Sequence, residues 1–313
     1  MRRFPRFVAV AVAALALAAC GSDGGTATNG GTPPDTDVSR APDFPVTVGT
    51  LTLDAKPEKI VALSPTATEV LFAIGAGPQV VAVDDQSNFP AEAPKSDLSA
   101  FQPNAEAIAE KQPDLVVLSN DMNNVVAQLT SLKIPVYVAA AGKTLDDTYK
   151  QITDIGALTG NVPAAEDLAK RMRDEVDKLV KDVPQRSEKL TYYYELGPEL
   201  YSLTSKTFVG SLFTLLGMEN VADAADADGS KGGYPQLGAE SLVTADPDMI
   251  FLADTVCCQQ SADTVKARPG WSGMTAVKTG QIVPLNDDIA SRWGPRTVDL
   301  LRQIVDAVSK VPA

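Results

Sequence analysis

Glu-Ala-Ile-Ala-Glu-Lys-Gln-Pro-Asp-Leu-Val-Val-Leu at residues 106–118 recurs in related form as Glu-Ser-Leu-Val-Thr-Ala-Asp-Pro-Asp-Met-Ile-Phe-Leu at residues 240–252. Each copy starts with Glu, continues through six residues to Pro-Asp, and ends in an apolar run that closes with Leu. The repeat divides the chain into two related lobes and places one carboxylate at the same point of each. Because ligands often bind at the interface between two domains, the repeat predicts a cleft between the lobes.

Short apolar strands alternate with helices on both sides of the repeat. The pattern predicts strands at residues 59–63, 80–83, 115–118, 136–139, 189–195, 249–252 and 281–284. It predicts helices at residues 66–74, 104–111, 122–132, 209–216, 240–244 and 297–308. Strands that alternate with helices in this way are typical of parallel α/β lobes.

A longer helix is predicted between the lobes, at residues 163–183. Its apolar residues recur at steps of three and four and therefore form one stripe, made of Leu168, Met172, Val176, Leu179 and Val183. At 1.5 Å per residue the helix is about 30 Å long, enough to cross a domain. One rigid helix between lobes permits less opening than extended strands would, so we expect a small hinge motion.

The first residues are typical of an export signal. Arg2, Arg3 and Arg6 precede an apolar run at residues 7–18, and Leu-Ala-Ala-Cys at residues 17–20 resembles a bacterial lipobox. The alternative is an ordinary secretory signal with a chance Cys20. Gly, Thr, Asp, Asn and Pro then dominate as far as about residue 45, a composition that cannot bury enough surface to order the chain. No second hydrophobic segment of transmembrane length is seen in the sequence.

These patterns predict five consecutive parts. They are a lipoprotein signal peptide at 1–19, lipidated Cys20 with a flexible tether at 20–57, an N-terminal lobe at 58–160, a backbone helix at 161–186 and a C-terminal lobe at 187–313. We therefore expect an extracytoplasmic protein that a lipid anchors to the cell membrane.

The charge of the chain argues against nucleic acid as a partner. The formal net charge is −13, and without the three signal arginines 24 basic residues face 40 acidic ones, which gives −16. Nucleic-acid binders need a basic surface. The sequence contains no His, the commonest transition-metal ligand and the usual general base, so we expect no metal site and no catalytic residues.

Cys257 and Cys258 are adjacent, and the sequence leaves their oxidation state open. Export to an oxidising compartment favours a disulfide. Neighbouring Cα atoms, however, lie only about 3.8 Å apart, below the usual disulfide span. A vicinal disulfide and two thiols therefore both remain compatible with the sequence.

Four groups of residues together resemble a known family. They are Ser-Pro-Thr-Ala-Thr-Glu at 64–69, Glu106 with Pro-Asp at 113–114, Glu240 with Pro-Asp at 247–248, and Arg-Trp-Gly-Pro-Arg at 292–296. From about residue 59 to the C-terminus, the chain is similar to substrate-binding proteins of ABC importers. It resembles the helical-backbone class that carries cobalamin, ferric siderophores and haem, and most closely the cobalamin-binding members.

The resemblance implies an α/β fold with two Rossmann-like lobes joined by a single long backbone helix, and a ligand cleft between the lobes. It implies a monomer that delivers its ligand to an ABC permease dimer with its ATPase and that holds no resident cofactor. Glu106 and Glu240 match the carboxylates that pair with permease arginines in the family. First-turn Glu is also favoured by the helix dipole, which would explain each residue without docking.

The resemblance also implies a set of ligand-binding positions. Phe101, Tyr201 and Tyr234 match aromatic positions of cobalamin binders, and Asp288 with Arg292 matches a polar pair. Gln86 stands where an aromatic residue is expected. Aromatic walls with a few polar groups suit a large flat macrocycle such as cobalamin or another corrinoid. Trp271 is interpreted as structural, whereas Trp293 fits either role.

Other functions remain as alternatives. Arg292, Arg296 and Lys206 are the cations that an anionic ferric siderophore would need, and tyrosinate could ligate haem. A hydrolase could instead use Asp-Asp pairs at residues 84–85 and 287–288 to hold a metal ion or to act as acid and base.

Overall fold

Two four-stranded parallel sheets form the framework in the computed structural model, which describes residues 44–312. The N-terminal sheet contains β3 (Ile60–Leu63), β4 (Val80–Val83), β5 (Leu115–Leu118) and β6 (Val136–Val138). The C-terminal sheet contains β7 (Thr191–Glu195), β8 (Glu219–Asn220), β9 (Met249–Leu252) and β10 (Ile282–Pro284). Across each sheet the strands follow one order along the chain, which is second, first, third, fourth. The two predicted lobes therefore share one topology.

Helices cover both sheets. Those before the long central helix are α1 (Pro65–Ala73), α2 (Ala105–Ala109), α3 (Val125–Ser131) and α4 (Leu145–Thr159). Those after it are α6 (Phe208–Leu215), α7 (Ala239–Ala245), α8 (Ala262–Lys266), α9 (Thr275–Thr279), α10 (Asp287–Ala290) and α11 (Thr297–Val308). Within residues 44–312, no helix is both long enough and apolar enough to cross a membrane.

The helix between the lobes is α5 (Val162–Asp182), whose bounds lie within one residue of the predicted helix at residues 163–183. Leu168, Met172, Val176 and Leu179 are buried in one core that also takes in residues of both sheets. Helix α5 contacts both α4 and α11. Elements of both lobes are therefore packed against a single rigid element.

Helix α4 was not predicted from the sequence. Thr144 caps its start, because the Thr144 hydroxyl accepts from the Asp147 backbone N–H while the Asp147 carboxylate accepts from the Thr144 N–H. Gly156 lets α4 approach α5 closely, since a Cβ at this position would lie 2.3 Å from the Cβ of Ala165. Gly inside a helical pattern weakens the local sequence signal for a helix.

The predicted tether at residues 20–57 is wrong over its last part. Strands β1 (Val46–Val48) and β2 (Leu51–Leu53) pair in antiparallel fashion, and β1 contacts α4. The hairpin is stable because Leu53 is buried in the main core, so this short segment gains enough apolar contact to be ordered. The rest of the predicted tether, Cys20 and the signal peptide lie outside the described residues.

The repeated Pro-Asp phrase has the same structural role in both lobes. The Asp114 carboxylate accepts the backbone N–H groups of Glu58 and Lys59, each at 2.9 Å, just before β3. The Asp248 carboxylate accepts the backbone N–H and the hydroxyl of Thr191, both at 2.8 Å, where β7 begins. Each aspartate therefore ties the third strand of its sheet to the start of the first strand, which is a structural reason for the repeat.

Candidate functional site

A cavity of about 370 Å³ lies at the carboxyl edge of the N-terminal sheet. Ser64, Asp84 and Ser119 line it, and each follows the last residue of a strand, in β3, β4 and β5. In open α/β sheets this edge is where ligands bind, because loops and helix N-termini converge there.

A second cavity, of about 200 Å³, lies at the matching edge of the C-terminal sheet. Leu196 and Ala253, which follow β7 and β9, line it together with Gly142 from the N-terminal half. Both cavities share a wall made of residues 291–293. The two cavities are therefore parts of one cleft between the lobes.

The structure brings most of the predicted ligand-binding residues to this cleft. Gln86, Phe101, Asp288 and Arg292 line the N-terminal cavity, and Tyr234 and Arg292 line the C-terminal one. Tyr201 lines neither cavity, but it pairs with Gln236, two residues beyond Tyr234. The three aromatic rings are unusually exposed, at 66% for Phe101, 53% for Tyr234 and 46% for Tyr201. They are thus available as apolar walls for a ligand.

Arg292 differs from the other predicted residues because its guanidinium is already occupied. Nη1 donates to Glu69 Oε1 at 2.9 Å, and Nη2 donates to Asn88 Oδ1 at 2.9 Å and to Asp288 Oδ1 at 3.0 Å. Nη2 also lies 3.2 Å from the backbone oxygen of Gln86. Arg292 therefore joins the C-terminal segment to the N-terminal lobe, and a bound ligand would meet this network rather than an unpaired cation.

Arg296 completes the same network from the N-terminal end of α11. It forms a two-pronged pair with Glu69, with Nε to Oε2 at 2.9 Å and Nη2 to Oε1 at 2.6 Å. Its guanidinium also stacks 4.3 Å above the ring of Phe89. We call Glu69, Asp288, Arg292 and Arg296 the inter-lobe cluster. Its two negative and two positive charges balance, with Glu69 and Arg292 buried and Asp288 partly exposed.

Asp84 lies beside the inter-lobe cluster. Its carboxylate accepts a hydrogen bond from the Ser87 hydroxyl, and Ser87 in turn meets the Thr68 hydroxyl at 2.9 Å. Burial raises the pKa of Asp84, and the neighbouring Asp85 adds to that effect. Asp84 is therefore a poor candidate for a cation ligand.

Glu69 is a further residue of the cleft, beyond those predicted from the sequence. This residue belongs to α1 and is buried, at 3% exposure, among otherwise small or apolar side chains. A charged residue on the buried face of an apolar helix is a sequence signal for a partner of opposite charge. Its partners lie more than 220 residues away, at a separation of 223 from Arg292 and 227 from Arg296, so only the fold identifies them.

The two tryptophans have different roles. Trp271 is buried in the C-terminal core, with the guanidinium of Arg268 lying 4.6 Å from its ring. Trp293 lines both cavities, and its backbone oxygen accepts from the Thr148 hydroxyl at 2.9 Å. Trp293 is thus positioned both to fasten the cleft to α4 and to face a ligand.

A second group of buried charges lies beneath the C-terminal edge of the cleft. Glu195 and Asp254 are both completely buried. Arg268 donates two hydrogen bonds of 2.6 Å to the Glu195 carboxylate. Neither carboxyl oxygen of Asp254 has a hydrogen-bond partner among the described residues. Burial and the negative charge of Glu195 raise the pKa of Asp254 to about 7.

Of the paired aspartates considered for a hydrolase, Asp287 has a structural role. The Asp287 carboxylate accepts the backbone N–H groups of Thr255, Val256 and Cys257 at 2.8–3.1 Å, so it is committed to a loop. Within residues 44–312, no three His, Cys, Asp or Glu side chains are grouped so that they could hold a metal ion.

Cys257 and Cys258 form a disulfide in the structure. It belongs to the loop that follows β9 and that Asp287 holds, next to the cleft.

Glu106 and Glu240 occupy equivalent positions. Each is exposed, and each is the second residue of a short helix, α2 or α7, that leads into the third strand of its sheet. Because each helix runs back toward the start of that strand, its first turn lies on the side where the strands end. The two carboxylates therefore lie on the side of the molecule at which the cleft opens.

Replacing Glu69 with Gln should destabilise the protein strongly. The neutral amide leaves Arg296 without its paired anion and Arg292 with only the partly exposed Asp288, so we expect a loss of about 3–5 kcal/mol in the free energy of unfolding, measured with denaturant. Glu175→Gln is the matched control, because Glu175 pairs with exposed Arg302 and should cost less than about 1 kcal/mol. Equal, small losses in both variants would contradict a stabilising role for the inter-lobe cluster.

The titration of Asp254 should make stability fall as pH rises. Its folded-state pKa of about 7 exceeds the ordinary value, so the unfolded chain releases this proton at lower pH than the folded chain does. This contribution is complete below about pH 4 and is lost by about pH 7. Asp254→Asn should remove the dependence and raise the melting temperature at about pH 8, whereas exposed Asp306→Asn should not. A lower melting temperature for Asp254→Asn at that pH would show that Asp254 is a needed anion.

Comparisons with known proteins agree with this architecture. Residues 60–289 match the sequence profile of the family described as periplasmic binding protein. The chain is 32% identical over 318 residues to the cobalamin-binding protein of Halobacterium salinarum, across 96% of this chain and 84% of the relative. It is 28% identical to the uncharacterized ABC transporter substrate-binding lipoprotein YvrC of Bacillus subtilis, across 96% of each chain.

A solved structure supports the same assignment. The periplasmic vitamin B12 binding protein BtuF of Vibrio cholerae superposes with a TM-score of 0.65 and 26% identity, across 80% of this chain and 96% of that one. The profile match extends over most of the described residues and includes both sheets. The chain therefore belongs to the periplasmic binding protein family.

Proposed function

We propose that the protein is an extracytoplasmic substrate-binding protein that captures a corrinoid of the cobalamin type in the cleft between its lobes. The observation that carries the proposal is the similarity, over nearly the whole chain, to a protein described as cobalamin-binding. The cleft supports it, because exposed Phe101 and Tyr234 offer apolar walls to a large flat ligand. The family assignment and the occupied Asp287 carboxylate favour a binding protein over an enzyme.

The charges of the cleft weigh against an anionic siderophore. Arg292 and Arg296 both pair with Glu69, and the ammonium of Lys206 lies 3.3 Å from the backbone oxygen of Ala227. An anionic ligand that used these arginines would have to displace a buried ion pair, which is costly. A corrinoid presents mainly apolar surface and amide groups, so it makes no such demand.

Delivery is the second half of the proposal. We infer that Glu106 and Glu240 pair with arginines of an ABC permease dimer, one on each lobe, since carboxylate–arginine pairs are bidentate and orienting. Their equivalent, exposed positions on the cleft side support this role. We also propose that Cys20 carries lipid and holds the protein at the membrane, as the lipoprotein description of YvrC suggests.

Calorimetry of the purified protein against cyanocobalamin, haemin and a ferric hydroxamate siderophore tests the ligand. We expect saturable heat with cyanocobalamin and a stoichiometry of about one, as a single cleft predicts. Phe101→Ala should weaken this binding about tenfold, because it removes a large apolar contact. Leu132→Ala is the control, because Leu132 is an exposed apolar residue that lines neither cavity. Tight binding of haemin or the siderophore without cyanocobalamin binding would overturn the corrinoid assignment.

Delivery is tested in a strain that lacks the gene and is complemented with variants. The double variant Glu106→Ala, Glu240→Ala should keep wild-type affinity in calorimetry and lose most uptake of labelled cobalamin, because docking and binding use different surfaces. Glu110→Ala, which changes another exposed Glu near α2, is the control and should support normal uptake. Cys20→Ser should shift the protein from the membrane fraction to the soluble fraction. Normal uptake in the double variant would refute docking through these carboxylates.

A further inference from the structure

Hydrogen bonds fix both ends of the loop at residues 254–260. At one end Asp287 accepts backbone N–H bonds from Thr255 at 2.8 Å, from Val256 at 3.0 Å and from Cys257 at 2.8 Å. The Thr255 hydroxyl adds a bond of 2.9 Å to the same carboxylate. Because several bonds to one ionised group are strong, this part of the loop has a defined shape.

The other end of the loop is fastened to the buried charges of the C-terminal lobe. The Asp254 backbone oxygen faces the N–H groups of Cys258 and Gln260, each at 3.3 Å. The Gln260 side chain accepts from Arg268 at 2.8 Å, and Arg268 is itself paired with Glu195. Between these two attachments, the Cys257–Cys258 disulfide closes a small ring and stiffens the turn.

This fixed loop projects apolar groups outward. Val256 is 71% exposed, the highest value for a large hydrophobic residue within residues 44–312. Cys257 is exposed beside it. A single exposed valine is ordinary in itself. Here, however, the backbone of Val256 is bonded to a carboxylate, so the side chain is held in the solvent rather than left there by a mobile loop.

The position of the loop connects it to the cleft. It leaves β9 immediately after Ala253, which lines the C-terminal cavity. Its anchor Asp287 immediately precedes Asp288, which lines the N-terminal cavity and belongs to the inter-lobe cluster. The loop therefore begins at the edge of the cleft, directly after a residue that lines the C-terminal cavity.

We propose that Val256 and the Cys257–Cys258 ring form an apolar lip that contacts the bound ligand at the C-terminal edge of the cleft. The lip offers a hydrophobic surface to the apolar periphery of a macrocycle. The disulfide also keeps both sulfur atoms from acting as thiolates, which would otherwise compete as ligands for a metal centre carried by the ligand. This inference rests on the proposed function, since it assigns a further contact for the same cleft.

Two variants test the lip in calorimetry with cyanocobalamin, haemin and the ferric siderophore. Val256→Ser should weaken the binding of whichever ligand the wild type binds by about five- to tenfold, because the contact made by a buried valine side chain is lost. The double variant Cys257→Ser, Cys258→Ser should weaken the same binding by at least about threefold, because the turn loses preorganisation. Val243→Ser is the matched control, since Val243 is an exposed valine on α7, which leads into the opposite end of β9. Thermal unfolding verifies that each variant is folded.

Hydrogen exchange gives a second measurement on the unaltered chain. Saturating ligand should slow exchange in a peptide that covers residues 254–260 and leave residues 240–246 unchanged. Unchanged affinity in both lip variants, or unchanged exchange at 254–260, would overturn the lip while the proposed function stands. Binding of haemin or siderophore in place of cyanocobalamin would overturn the corrinoid assignment. The affinities of the wild type and the lip variants for that ligand would then test whether the lip contacts it.

Discussion

The geometry of the cleft depends on one buried carboxylate, that of Glu69. Two arginines from the C-terminal segment converge on it, at distances of 2.6–2.9 Å, while Glu69 itself belongs to the first helix of the N-terminal sheet. A buried carboxylate with two guanidinium partners tolerates little displacement, because any separation leaves charge unpaired in a poorly solvated place. Together with α5, this contact favours lobes that move little relative to one another, in keeping with the small hinge motion expected from a single connecting helix.

The two lobes share a topology but use it differently. In both, an aspartate after proline ties the third strand to the first, and a glutamate stands exposed in the first turn of the preceding helix. The loops at the carboxyl edges have diverged. The N-terminal loops supply the exposed ring of Phe101 and polar groups that hold the arginines, whereas the C-terminal loops supply the exposed rings of Tyr201 and Tyr234 and the disulfide turn. Such divergence is expected, because loops on a rigid scaffold carry function.

Charge in this cleft is mainly structural. Arg292 and Arg296 are bound by Glu69, and Asp287 is bound by the loop of the lip. These pairings leave exposed apolar groups as the principal surface open to a ligand. A neutral, bulky ligand is therefore better matched to this cleft than a highly charged one, and this match depends on pairings between residues distant in sequence.

The sequence by itself determined the two α/β lobes, the long helix and the repeated Glu and Pro-Asp positions, since these depend on local periodicity and on a repeat that can be read directly. It did not reveal the hairpin at residues 46–53, because short strands gain stability mainly from packing, nor α4, whose Gly156 argues locally against a helix. It indicated Arg292 as a ligand contact. Only the tertiary structure decided that Arg292 meets Glu69, because that partnership spans 223 residues and has no local signature.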